Sequence, residues 1–347
     1  MSADRADRIH GALLGLAVGD ALGLAADYHR AVRSPWVRGR LWAGSAELDE
    51  ARVAKPLLPF DATTVDGARL APTDDTETAV LAARVALTTA GTADASTRRF
   101  AEWRRLTAGD DVWTGIAERS AIINAERGLV PPVTGNDGPA DASDSAVAAG
   151  VVWGLFHAGD PAASAEAATE WASITHARDG VWAAACMASA VSALAVGAPI
   201  AQALDDAEAL VPADSWLAEG FRAAARIAPA SVILELPRLL AELNPRRYSQ
   251  PGTAPETLPI AFLLLRADGE RPEQALANAT LFARESDSVP AFVGALLGAA
   301  HGAEVFGEAW PAAVDRVEGV CYPALAGERV SAVAAELEAS VADRATR

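Results

Sequence analysis

Pro72-Thr73-Asp74-Asp75-Thr76-Glu77-Thr78 stands at the head of an apolar run, Ala79 to Thr88, that reads as a helix. Two adjacent carboxylates and a hydroxyl therefore sit at a helix N-terminus. Hard divalent cations such as Mg²⁺ take oxygen ligands of this kind. The same residues also read as a plain cap. Asp74 with Glu77 fits a capping box, and acids in a first turn suit the helix dipole. A second acidic stretch near the other end, Glu285-Ser286-Asp287-Ser288, also opens an apolar helix and shifts the balance toward a cation.

Composition bounds the rest. The chain has 347 residues, 29 basic and 46 acidic, for a net charge of −17. That excess argues against a general nucleic-acid binder, which needs a basic face. Apolar residues make up 51%, enough to bury a large core, and much of this is Ala, the best helix former. The two cysteines, Cys186 and Cys321, fit a reducing compartment and give no Cys/His spacing for zinc. Gly11 to Ala26 is almost wholly apolar, but it is short for a membrane span and carries Asp20. With a leader of mixed charge, this predicts a buried helix in a cytoplasmic protein.

Helical patterns follow one another along the chain. They run from Ala3 to about Asp27, Thr73 to Thr89, Asp94 to Leu106, Asp111 to Glu126 and Val147 to Ala158. Further ones cover Pro161 to Ile174, Asp179 to Val196, Ile200 to Leu210, Asp214 to Ile227 and Ala230 to Leu243. The last are Glu256 to Arg266, Pro272 to Phe282, Val289 to Val305 and Gly327 to Ala345. Tyr28 to Leu70 is irregular, and Gly128 to Asp141 is a Gly/Pro loop leading into Ser143-Asp144-Ser145-Ala146. That Ser-rich helix start can hold an anion on free backbone amides, or simply cap. The arginines at 30, 33, 38 and 40 cluster as a surface or a phosphate contact. No run of alternating strands is present. The fold class is all-α, one domain spanning 1–347.

Gly11, Gly15, Gly19 and Gly23 recur every fourth residue in the first helix, and Gly294, Gly298 and Gly302 repeat the period near the end. Such ridges allow two helices to pack closely, which would bring Asp74/Asp75 and Glu285/Asp287 to one end of a bundle. Converging carboxylates repel unless a cation holds them.

In this order and combination the motifs resemble the ADP-ribosylglycohydrolase family over nearly the whole chain. The opening Arg8-Ile9-His10-Gly11 to Gly19-Asp20-Ala21-Leu22-Gly23 is similar to its first signature, and Thr73-Asp74-Asp75-Thr76 to its first metal motif. Thr175-His176 and Ala254-Pro255-Glu256-Thr257-Leu258-Pro259 resemble its central elements. Glu285-Ser286-Asp287-Ser288 stands where the family has Asp-Thr-Asp-Thr. The sequence departs from the pattern at Ala283-Arg284, where two glycines are usual, and at Glu285 and Asp27, which exchange Asp and Glu. It departs again at Pro290 and in the loop after Ser145, which lacks an arginine.

The resemblance implies a compact multi-helix orthogonal bundle holding one or two Mg²⁺ ions, with Mn²⁺ a possible substitute. It makes Thr73, Asp74, Asp75, Glu285, Asp287 and Ser288 the metal ligands and Asp27, Asp74 and Asp75 the catalytic groups. It places Ser143, Asp144, Ser145, Ala146 and His176 against the substrate. The implied activity is hydrolysis of a glycosidic bond of ADP-ribose on a protein or small molecule, with no nucleic-acid or membrane partner. The alternatives left by the departures are a silent relative that binds an ADP-ribose-like ligand or is structural, and a hydrolase of a simpler ribosyl metabolite.

Overall fold

The computed structural model describes residues 4–33, 71–227, 235, 242–243, 252–282 and 287–345. The helix expected at Ala230 to Leu243 and the irregular stretch after the first helix fall largely outside these residues, as do Glu285, Ser286, Arg38 and Arg40. The side chains of Asp27, Arg30 and Arg33 also lie outside the description.

Fifteen α-helices and two short 3₁₀ turns account for the described elements. The α-helices are α1 (Arg5–Arg33), α2 (Asp74–Thr88), α3 (Ala95–Leu106), α4 (Ile116–Glu126) and the single turn α5 (Val133–Asn136). Next come α6 (Ser145–Phe156), α7 (Pro161–Ala172), α8 (Asp179–Leu194), α9 (Ile200–Glu208) and α10 (Trp216–Ala225). The last are α11 (Ala254–Asp268), α12 (Pro272–Ala279), α13 (Ser288–His301), α14 (Ala309–Val314) and α15 (Val330–Ala345). No strand forms among the described residues, where only two isolated bridges occur, Ser143 with Thr253 and Arg316 with Arg329. The all-α expectation holds.

The glycine ridges do what their spacing predicts. A Cβ on Gly15 would overlap the Gly294 carbonyl, one on Gly11 the Gly298–Gly302 backbone, and one on Gly19 the Pro290 carbonyl. This order makes α1 and α13 antiparallel, so the start of α13 lies beside Gly19 and Asp20. A second close pair is α6 with α8, where Gly150 and Gly154 pack on Ala184 and Ala188. These backbones approach more closely than side chains would permit, and the Ala-rich faces bury almost completely. No described helix is long and apolar enough to cross a membrane.

Two local expectations are corrected. The helix after the second acidic stretch stops at His301, because Gly302 takes φ +88°, and a 3₁₀ turn follows at Ala303–Phe306. The helix expected from Asp111 starts only at Ile116. The backbone N–H of Trp113 is instead engaged by the carbonyl of Cys321, at 3.1 Å. α14 was not legible as a separate helix, being six residues between two loops.

Candidate active site

Three distant segments meet where α1 and α13 come together. Asp20, buried in α1, accepts the backbone N–H of Thr73 at 2.7 Å and of Thr76 at 3.1 Å, and the hydroxyl of Thr76 at 2.6 Å. The Thr73 hydroxyl also reaches it. The start of α2 is therefore capped from α1, through space, and not by its own side chains.

The capping box expected of Asp74 and Glu77 does not form. Thr73 is the N-cap, without a side-chain cap bond. Glu77 turns to the opposite wall, where its carboxylate accepts the backbone N–H groups of Gly319, Val320, Cys321 and Tyr322, at 2.8, 2.8, 2.8 and 3.0 Å. With Glu77 fixing 319–322, Asp75 is left buried and Asp74 exposed toward the cavity. The Ser143–Ala146 segment supplies the N-cap of α6 as expected, at Asp144, whose carbonyl accepts the Val147 N–H at 2.8 Å although its side chain makes no cap bond.

A cavity of about 140 Å³ opens between these elements. It is lined by Asp74, Asp75 and Thr78 of α2, by Ser143, Asp144 and Ser145, by Asp287 and Ser288, and by Glu118, Cys321 and Tyr322. Asp287 is the N-cap of α13, its carboxylate accepting the Ser288 N–H at 3.0 Å. The backbone at 141–144 is held by Ala254 N–H to the Ala142 carbonyl, 2.9 Å, and Asp144 N–H to the Gly252 carbonyl, 3.0 Å. The predicted residues Asp74, Asp75, Ser143, Asp144, Ser145, Asp287 and Ser288 thus share one cavity. Thr73 adjoins it through Asp20 and Asp74. Ala146 and His176 line a narrower neighbouring space of about 20 Å³, which shares Glu118, Ser145 and Tyr322 with the first.

The electrostatics are those of crowded acids. Burial, then Asp74 and Asp287, raises the Asp20 carboxyl to about 7. Burial, then Asp287, raises Asp144 to about 7 despite a hydrogen bond from Thr257. Asp75 is pushed well above its ordinary value by burial and by Asp74, Asp20 and Asp287, and Asp74 is raised by burial. Asp75 Oδ2 and Asp144 Oδ2 are buried without a hydrogen-bond partner among the described residues. Such atoms in a native protein call for a bound partner. An oxygen-only donor set of carboxylates and hydroxyls fits a hard cation. Among the described residues no three acidic, histidine or cysteine side chains form a metal-holding group by themselves.

Sequence reasoning did not single out Glu118, Cys321 or Tyr322 as cavity residues. Glu118 lies in the first turn of α4, where an acid reads as a dipole partner, and the 319–322 loop has no motif.

This is an all-helical protein with an acidic, oxygen-lined cavity where α2, the start of α6 and the start of α13 meet. The ADP-ribosylglycohydrolase family model matches residues 1–344, and the chain belongs to that family. Among solved structures, one described as an ADP-ribosylglycohydrolase-related protein complex is similar at 25% identity, with a TM-score of 0.57 over 97% of this chain and 99% of the other. No curated protein sequence matches. The family's activity is glycosyl hydrolysis on ADP-ribose.

Proposed function

We propose that the protein is a Mg²⁺-dependent hydrolase of an N- or O-glycosidic bond to ADP-ribose, acting as one domain in the cytoplasm. The observation that carries this reading is the meeting of Asp74, Asp75, Asp144 and Asp287 in one cavity, with Asp75 Oδ2 unpartnered. Thr73, Asp74, Asp75, Asp287 and Ser288 would hold the cation, with Glu285 completing the set and Mn²⁺ able to replace Mg²⁺. When bound, the cation supplies charge neutralisation and Lewis-acid polarisation of the sugar oxygens.

The chain's own residues do the rest. Asp20 keeps Thr73 and Thr76 in place, so the two following acids hold their direction. Ser143 to Ala146, pinned to 252–254, presents hydroxyls to the substrate from the other side. His176 backs Ser145 at 3.1 Å. Asp74 and Asp75 orient the attacking water, and the family resemblance gives Asp27 an assisting role.

One observation favours a second reading, a ribosyl substrate without a diphosphate. None of the described residues lining the 140 Å³ cavity is basic. The test incubates the protein and Mg²⁺ with arginine- and serine-linked ADP-ribosyl peptides and with simple ribosides, following release by chromatography. Release from the peptides, lost in Asp75→Asn, supports the first reading. Release from ribosides alone supports the second. No release from any of them overturns both and leaves the silent relative.

A further inference from the structure

Two glutamates are buried beside the cavity, and they are treated differently. Glu77 is saturated by four backbone donors. Glu118, 6% exposed, receives one hydrogen bond among the described residues, from the Ser145 hydroxyl at 2.5 Å. Gly115 leaves room for its other oxygen, since a Cβ there would stand 2.9 Å from Glu118 Oε2. A buried carboxylate with so few donors, opening on a cavity, is a group held ready for something else.

The contacts behind Glu118 run in one direction. A carboxylate only accepts, so the Ser145 hydrogen is spent on it. The Ser145 oxygen then faces His176 Nε2, at 3.1 Å, as an acceptor. Burial pushes the His176 imidazole below its ordinary value, so the ring is neutral and carries one hydrogen. With that hydrogen on Nε2, Nδ1 is left to accept from the Thr175 hydroxyl at 2.7 Å. The chain Thr175, His176, Ser145, Glu118 thus ends on a carboxylate with every donor pointing toward it. His176 Nε2 itself stays 4.0 Å from Glu118 Oε1, so Ser145 is the link.

We propose that Glu118 is a catalytic base of this site and that Ser145, backed by His176, is its positioning residue. The inference rests on the hydrolase reading above. Asp74, Asp75 and Asp287 are assigned to the cation, Asp20 to capping and Asp144 to the segment against the substrate, and Glu118 is the cavity carboxylate that the Ser145 hydroxyl holds in place. In the step, a water oxygen bonds to the anomeric carbon and its proton passes to Glu118. The bond to the leaving heteroatom breaks, that atom keeps the electron pair, and it takes a proton from solvent. Glu118 then returns its proton to solvent.

The test compares wild type with Glu118→Gln, Glu118→Ala and Ser145→Ala on whichever ADP-ribosyl peptide or riboside the wild type cleaves. General-base removal lowers kcat by about 10²–10⁴-fold. The expected result is that loss in both Glu118 variants with KM changed less than about threefold. Sodium formate or azide at high concentration should restore part of the Glu118→Ala rate, as a small anion fills the space of the lost carboxylate. Ser145→Ala should keep Glu118 and lose about tenfold or less. Unchanged kcat in Glu118→Gln, or a loss that neither anion relieves while far-UV circular dichroism stays native, overturns the proposal and leaves the hydrolase reading standing. A wild type that cleaves nothing overturns both.

Discussion

The carboxylate of Glu77 accepts the backbone N–H of Cys321 at 2.8 Å, 244 residues further along the chain. The same carboxylate takes the amides of Gly319, Val320 and Tyr322. One side chain thus joins the start of α2 to the loop that forms the facing cavity wall. Hydrogen bonds to a buried charge are worth more than neutral ones, and leaving their donors unmatched costs the desolvation of each. Glu77→Gln is expected to destabilise the protein by about 3 kcal/mol, because the amide group has one oxygen for four donors and turns an N–H₂ toward the others. Urea unfolding of the two proteins measures this. An unchanged midpoint would mean that the loop holds itself.

The α1–α13 contact sets the start of α13 and Asp287 beside Asp20, which holds the start of α2. Gly294→Ala would drive a methyl group into the Gly15 carbonyl. Both partners are backbone, so neither can rotate away. Separation of the helices is expected, with a loss of about 3 kcal/mol. The loss should come with at least tenfold weaker Mg²⁺ binding, since Asp287 moves away from Asp75. Thermal melts with and without Mg²⁺ read both effects. A variant as stable as wild type would refute the close packing.

Acid crowding gives the cation-free protein a defined pH dependence. Asp20 and Asp144 are raised to about 7 from an ordinary value near 4, so between these limits the folded state binds more protons than the unfolded chain. Stability therefore falls as pH rises from about 4 to about 7, and levels off above. Mg²⁺ should stabilise the protein more at pH 8 than at pH 5, because protons compete with it at the lower pH. Asp144→Asn should flatten the slope. Melting temperatures across this range, in chelator and in Mg²⁺, provide the check. A stability that rises between pH 5 and 7 in chelator would contradict the account.

Much of this arrangement is legible in the sequence. The four-residue glycine period on two distant helices predicts their contact because only glycine permits it, and the two acidic stretches follow from that contact. Helix ends were less legible. The stop at His301 depends on a positive φ at Gly302, one of three equally spaced glycines whose neighbours stay helical. Glu77 could not be assigned to the 319–322 loop, because an acid three residues after Asp74 has a perfectly good local use. Asp20 stands inside an unbroken helix and caps a different one, a pairing across 53 residues that its own surroundings in the sequence do not mark. Glu118 was missed because its partners are distant in sequence, Ser145 opening α6 and His176 lying in the loop between α7 and α8.

The most direct measurement is calorimetric titration of chelator-stripped protein with Mg²⁺, repeated with Asp75→Asn and Asp287→Asn. The account predicts that wild type binds, and that each single substitution removes a binding event or weakens it at least tenfold, although the two aspartates are far apart in the sequence. A wild type that takes up no Mg²⁺, or an Asp287→Asn protein that titrates like wild type, would contradict the cation site on which the proposed hydrolysis depends.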